Sequence, residues 1–345
     1  MSSIARIRAR LWPGLRWGAA LLLAGITAWL SVRQVDWTAL QAALAHPKWL
    51  LLVLALGTVL ATTVAKAARW RVLLRPCHAQ VSEGRIVRVL FIGQMLNTLL
   101  SRLGDVARAV LLGPQVTGNV PAVLGTVLVE KALDGTVGLL LLVSLALWTP
   151  LPVWLRGPML ALAALTGGLL LLLILAAARR KWAVRLFRRA ITWLPPGIQD
   201  RAGRLLSDFG RGLGLLQQPA NAMWALAWSA LVWGLGASTN VVTLAALGIE
   251  APAWGTWLVL VTGYVANFLP VVPAQVGVFE YACILALGVA GVNQEPALAF
   301  GLILHFLVFA PPAVLGSLSM AVEGLSWSGL KQARRKYLEQ DPSHG

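Results

Sequence analysis

Seven ionisable residues stand in stretches of this 345-residue chain that are otherwise apolar: Arg102, Asp105 and Arg108, then Glu130, Lys131 and Asp134, then Glu280. A charge at the centre of a membrane-crossing helix costs about 2.5 to 3.5 kcal/mol on the insertion scale, so these side chains must face protein, water or one another. Three are positive and four negative, close to the balance of a mutually paired cluster. Glu130 and Asp134, four apart, share one helix face, where two carboxylates repel unless a cation intervenes or one is protonated. Arg102 and Arg108 are the natural cations, and Lys131 could reach Asp134 at a separation of three. Two readings follow. In one, a polar cavity receives a charged lipid headgroup, the arginines meeting phosphate and the carboxylates any cationic part. In the other, an ion network locks neighbouring segments together. Ionisable residues at membrane depth favour the substrate pathway, and both roles can coexist.

The backbone gives a second clue. Two apolar stretches, 86–112 and 254–289, are interrupted near their middles, the first around Ser101 to Asp105, the second at Pro270, Pro273 and Gly277. Each arm is about 15 residues or fewer, roughly 22 Å of helix, which is short for a bilayer core about 30 Å thick. Both are expected to be re-entrant hairpins, although two full crossings of the second would leave the chain ends where they are. The tips are alike: each runs from an asparagine, Asn97 or Asn267, through the break to a glycine and an acid, Gly104-Asp105 or Gly277 and Glu280. Broken backbone inside a membrane is tolerated where protein or a water-filled cavity covers it, and oppositely entering hairpins suit an inverted repeat around a midplane site.

Six longer apolar runs must position these residues: 15–32, 49–66, 120–148, 158–178, 222–247 and 296–322. The composition agrees. The chain is 58% hydrophobic and 12% charged, with a mean hydropathy of +0.74, whereas soluble domains are about a quarter charged. A soluble enzyme is excluded. The formal charge of +16 does not signal nucleic acid, because basic residues punctuate apolar runs and form no stripe on a polar domain. Of the 29 lysines and arginines, 23 fall at the N-terminus, after the second run, between 179 and 211, or near the C-terminus. The positive-inside rule makes those regions, and both termini, cytoplasmic. Among the 16 tryptophans, Trp49, Trp148, Trp154, Trp254 and Trp327 sit near span ends, at headgroup level.

The expected fold is therefore an all-α polytopic membrane protein of about six full transmembrane helices plus two re-entrant hairpins, or eight spans. Residues 1–14 form a basic cytoplasmic N-terminus, 15–325 the transmembrane domain and 326–345 a cytoplasmic tail. Within the domain, 179–218 is a basic amphipathic cytoplasmic segment. Its residues before Pro195-Pro196-Gly197 read either as a helix lying on the leaflet or as a solvated loop that only enforces topology. Cys77 and Cys283 imply no disulfide framework.

Three motifs in order carry a family resemblance: Asn97-x-x-Leu-x-Arg102-x-Gly104-Asp105-x-x-Arg108, Glu130-Lys131-x-x-Asp134, and Leu269-Pro270-x-x-Pro273-x-x-x-Gly277-x-x-Glu280. The chain resembles the lysylphosphatidylglycerol synthase/flippase transmembrane family over roughly 15–325. It departs at Leu100, where the family usually has proline, at Pro273-Ala274-Gln275 for Pro-Gly-Gly, and at His305, where many members have arginine. The resemblance implies a protein that moves, or helps to move, a polar lipid between leaflets of a bacterial cytoplasmic membrane. Fused members carry a soluble aminoacyl-transferase domain after the membrane part; about 20 residues follow Leu325 here, so that activity is not expected of this chain.

The histidines, His46, His78, His305 and His344, are scattered, and no Gly-Lys-Ser/Thr phosphate loop occurs, so neither a metal, a cofactor nor ATP-driven transport is expected. His305 reads as a core residue or a proton relay. The leading expectation is a lipid flippase that is not an enzyme. Its headgroup cavity would be lined by Asn97, Arg102, Asp105, Arg108, Glu130, Lys131, Asp134, Asn267, Pro270, Pro273, Gly277 and Glu280. The alternatives are a membrane-embedded transferase using a lipid-linked donor, with Asp105 or Glu130 as general base, and a non-catalytic subunit of a lipid-synthesis complex. The partners expected are a membrane lipid and a lipid-synthesising enzyme, with no nucleic acid.

Overall fold

The computed structural model describes residues 18, 21–100, 103–148, 152–178, 189, 192, 195–266 and 273–325, and everything regular among them is helical. In chain order the helices are α1 (Leu21–Val32), α2 (Trp37–Ala45), α3 (Trp49–Leu74), α4 (Glu83–Leu100), α5 (Leu103–Leu112), α6 (Asn119–Trp148), α7 (Val153–Ala178), α8 (Pro196–Gly212), α9 (Pro219–Ala246), α10 (Ala253–Ala266), α11 (Val278–Val289) and α12 (Gln294–Val322). Four of them, α3, α7, α9 and α12, are long and apolar enough to cross a membrane by length and composition, and α1, α10 and α11 are shorter apolar helices. Helix α6 has 30 residues, about 45 Å, and carries Glu130, Lys131 and Asp134 within it. Exposed leucines such as Leu50, Leu160, Leu171 and Leu172 cover outward faces, which is intelligible only with lipid outside.

Helices α3 and α9 pack antiparallel along their lengths. Lys48 N donates to Ala246 O at one end (2.8 Å), the Thr58 and Thr239 hydroxyls meet in the middle (2.8 Å), and Arg75 Nη1 donates to Asn221 Oδ1 at the other end (2.9 Å). Helix α12 lies on α4 through Gly316, where a Cβ would stand 2.7 Å from the Phe91 carbonyl oxygen. Glu323 closes that contact by pairing with Arg85 (3.2 Å) and Arg88 (2.8 Å).

Both interrupted stretches are hairpins. The feet of α4–α5 are tied together by Thr117 N→Cys77 O (3.0 Å) and Gln80 N→Gln115 O (3.3 Å), so the chain leaves on the side where it entered. In α10–α11 the feet meet at Gly255, whose Cβ would lie 2.9 Å from the Ala290 Cβ. The arms have 18 and 10 residues, then 14 and 12; α4 exceeds the length of about 15 expected, and the other three are short. The turn Pro273–Gln275 of the second hairpin packs against α4 of the first.

Two features differ from expectation. The connection between the first two spans contains α2, started by Asp36, whose Oδ1 accepts from Thr38 N (2.8 Å) and Ala39 N (3.3 Å). These bonds hold the Asp36 carboxyl below its ordinary pKa, the Thr38 hydroxyl contributing most. Further on, a helix begins at Pro195-Pro196-Gly197: Pro196 occupies the first turn of α8, where a missing N–H costs nothing. Helix α8 packs on α6 through facing glycines, Gly125 and Gly212, instead of standing apart. The stretch expected to lie on the leaflet, Trp182 to Trp193, falls outside the described residues except for Arg189 and Thr192.

Candidate functional site

Hairpin α4–α5 can press against itself because Gly93 and Gly104 face each other across it, and Gly93 also leaves room for the stem of Arg108. Asn97 fixes the turn of approach. Its Oδ1 accepts from Gly104 N (2.9 Å) and its Nδ2 donates to Asp105 Oδ1 (3.2 Å). Asp105 and Arg108, three apart on α5, bond at 2.9 Å, and Arg108 continues to Glu130 on α6 at 3.2 Å.

The network then runs to a residue that the sequence reading had placed in the cytoplasmic border. Arg69 Nη2 lies 3.4 Å from Glu130 Oε1, while its Nη1 and Nη2 reach the two Asp134 oxygens at 2.5 and 3.2 Å. Ser229 of α9 accepts a further bond from Arg69 (3.1 Å). Asp134 thus pairs with Arg69, not with Arg108 or Lys131. Lys131 turns instead to Asp105, at 3.3 Å. The result is an alternating row, Lys131, Asp105, Arg108, Glu130, Arg69, Asp134, joining α3, α5 and α6. Signs alternate because each carboxylate bridges two cations or, at the end, takes a bidentate guanidinium.

Burial grades along the row. The side chains of Arg69 and Arg108 are 0% and 4% exposed, whereas Lys131 is 47% exposed and marks the open end. The Arg108 guanidinium also lies 4.8 Å from the ring centre of Trp70, a cation–π contact, and the Trp70 indole donates to Thr126 (3.1 Å). The Nε groups of Arg69 and Arg108 are buried without a hydrogen-bond partner among the described residues. Lys66, one turn from Arg69, is half-buried and forms no ion pair with a described carboxylate, although Asp134 and Glu130 are near enough to act on it.

Glu280 does not join this row. Its Oε1 meets His305 Nδ1 at 2.6 Å and its Oε2 accepts from Gly277 N at 2.8 Å, closing the first turn of α11. Proximity explains the separation: α11 packs on α10 and α12, and α12 supplies His305. Arg102, Asn267 and Pro270 lie outside the described residues, and Pro273 is described only as backbone of a turn.

Sequence reasoning missed Arg69 and Lys66 because basic residues at a span's end were assigned to topology. The available signal was length: a span starting at Trp49 needs about 20 residues, so both fall on its last turns. Among the described residues no group of three or more His, Cys, Asp or Glu could hold a metal ion.

No curated protein and no solved structure matches the chain. The family described as "Lysylphosphatidylglycerol synthase TM region" matches residues 17–316, which take in the hairpins, the ion row and the Glu280–His305 pair. This integral membrane protein therefore belongs to the lysylphosphatidylglycerol synthase transmembrane-region family, whose name ties it to membrane lipid.

Proposed function

We propose that the protein translocates a polar, phosphate-bearing lipid between the leaflets of a bacterial cytoplasmic membrane, with both termini in the cytoplasm. The carrying observation is the charge balance of the ion row. The row itself balances, Arg69, Arg108 and Lys131 against Asp105, Glu130 and Asp134. Lys66 beside it, near enough to Asp134 and Glu130 to act on them, makes four cations to three carboxylates, and two buried arginine N–H groups have no partner among the described residues. A surplus cation with spare donors is the chemistry that receives a phosphate. Asn97 would hold the hairpin turn, and Lys131 at the open end would meet the headgroup first. Arg102 follows the same logic from its place in the motif.

What favours translocation over group transfer is that Asp105 and Glu130, the candidate bases, are each committed to two cations. A carboxylate held that way is a poor acceptor for a hydroxyl proton. A lipid-synthesising enzyme is the partner that would supply the cargo.

Liposomes containing the purified protein and a headgroup-labelled phospholipid test the reading through quenching of the outer-leaflet label. Protein-dependent loss of the protected inner pool, slowed at least about tenfold by Arg69→Ala or Glu130→Gln, supports it, since about 1.4 kcal/mol of lost binding is tenfold. Formation of a new lipid product without leaflet exchange would replace it with the transferase reading.

A further inference from the structure

Glu280 and His305 form a second ionisable site, distinct from the ion row and built differently. The row consists of guanidinium, ammonium and carboxylate groups, whereas imidazole is the side-chain type whose charge ordinarily changes near neutral pH. The pair is enclosed: the two side chains are 9% and 13% exposed. Phe279 and Phe309 set their rings 5.4 and 4.4 Å from the imidazole. The carboxylate also holds the backbone of Gly277, which is pressed onto α1 so closely that a Cβ would stand 2.8 Å from the Ala24 carbonyl oxygen. One carboxylate therefore fastens the start of α11 to α12 and seats it on α1.

Among the described residues no other charge compensates this pair. On α11 the titratable neighbours are Tyr281 and Cys283, and on α10 Tyr264, which packs against Trp233. At the C-cap of α12, Glu323 is held by Arg85 and Arg88 of α4, and Glu295 in its first turn meets Asp36 N. Glu83 of α4 is taken by Arg71, Arg69 of α3 by the row, and Arg33, beyond α1, lies over Trp29. Lys66 of α3 acts on the row. With a proton on the imidazole the pair is neutral overall. Once the ring N–H bond breaks and the proton passes to water, an ionised carboxylate is left among aromatic rings, a state that a dry interior disfavours strongly.

We propose that Glu280 and His305 form a proton-binding site that drives lipid translocation: the first turn of α11 docks on α12 with the proton bound and separates from it when the proton leaves to water. This deepens the translocation reading and rests on it for the coupling. Loading takes a proton from water on one side of the membrane, and unloading returns it on the other, so each cycle moves one proton.

Two measurements on the full chain test it. In a Cys77→Ser, Cys283→Ser background, spin labels at Val276→Cys and Leu302→Cys report the α11–α12 distance from about pH 5 to about pH 9, the range over which histidine titrates. A longer distance should gain population as pH rises. His305→Arg, whose charge is permanent, and Glu280→Gln, which cannot ionise, should each abolish that response. A distance distribution unchanged with pH, or changing equally in both variants, overturns the site. In proteoliposomes with the membrane potential clamped at zero, a one-unit pH gradient should displace the labelled lipid between leaflets by about tenfold, as one proton per lipid requires. Translocation that ignores the gradient overturns the coupling. A pH-responsive distance without any translocation keeps the site and overturns the flippase reading.

Discussion

Gly93 and Gly104 meet across the first hairpin so closely that a methyl group on Gly104 would overlap the Gly93 carbonyl oxygen. The obstacle is backbone, which cannot swing aside as a side chain can. Gly104→Ala is therefore expected to separate α4 from α5 and lower stability by about 1 to 3 kcal/mol, the usual range for overpacking. Thermal unfolding in detergent would show the loss. A control at Gly57, inside α3, whose added Cβ meets nothing within 4 Å, should lose no stability and gain up to about 1 kcal/mol from the better helix former.

Arg69 and Asp134 provide the second prediction. Removing one partner strands the other charge in the interior, so Arg69→Ala should cost about 3 to 5 kcal/mol. The double variant Arg69→Met, Asp134→Leu should recover much of that loss. Arg69→Lys should not, because an ammonium cannot reproduce the two-pronged grip on the Asp134 oxygens. A double-mutant cycle on unfolding midpoints checks both statements.

Lys66 separates headgroup binding from architecture. It makes no ion pair with a described carboxylate, so Lys66→Gln should leave the unfolding midpoint nearly unchanged. Binding of a phosphate-bearing lipid should weaken by about tenfold for a lost charge-assisted contact of about 1.4 kcal/mol. Native mass spectrometry against lipid concentration measures that shift. Unaltered lipid binding would remove Lys66 from the site.

The turn before α11 is strained. Ala274 and Gln275 have φ of 52° and 57°, a left-handed conformation that costs a residue with a Cβ roughly 1 to 2 kcal/mol. Ala274→Gly and Gln275→Gly should each raise stability by up to about 1 kcal/mol, the relief of strain being offset by the freedom glycine gains when unfolded. Denaturant midpoints of the two variants test this. These are two positions at which the chain departs from the Pro-Gly-Gly of the family pattern.

Hydropathy and length made four long apolar helices legible, and the interruptions at Ser101 to Asp105 and Pro270 to Gly277 marked the two helical hairpins. The acidic half of the ion row was equally visible, since Asp105, Glu130 and Asp134 have no reason to lie in lipid. Its cationic half was only partly visible. Arg69 looks the same in sequence whether it ends a span at the headgroups or turns inward, and only packing against α6 and α9 distinguishes the two. Glu280 carried the right signal and the wrong partner: a charge count cannot tell one cluster from two. Helix α2 was hidden in nine residues, with Asp36 as a capping signal that was not used.

The order in which the chain is synthesised gives the ion row a further meaning. Its members lie between Arg69 and Asp134, so its charges can neutralise one another before α9 emerges from the ribosome. Glu280 must wait for His305, 25 residues later. Membrane insertion of the first half is thus self-sufficient in charge, whereas the second half carries an unmatched carboxylate until α12 arrives. A chain halted with α11 in the membrane and α12 still inside the ribosome would hold that carboxylate without its partner.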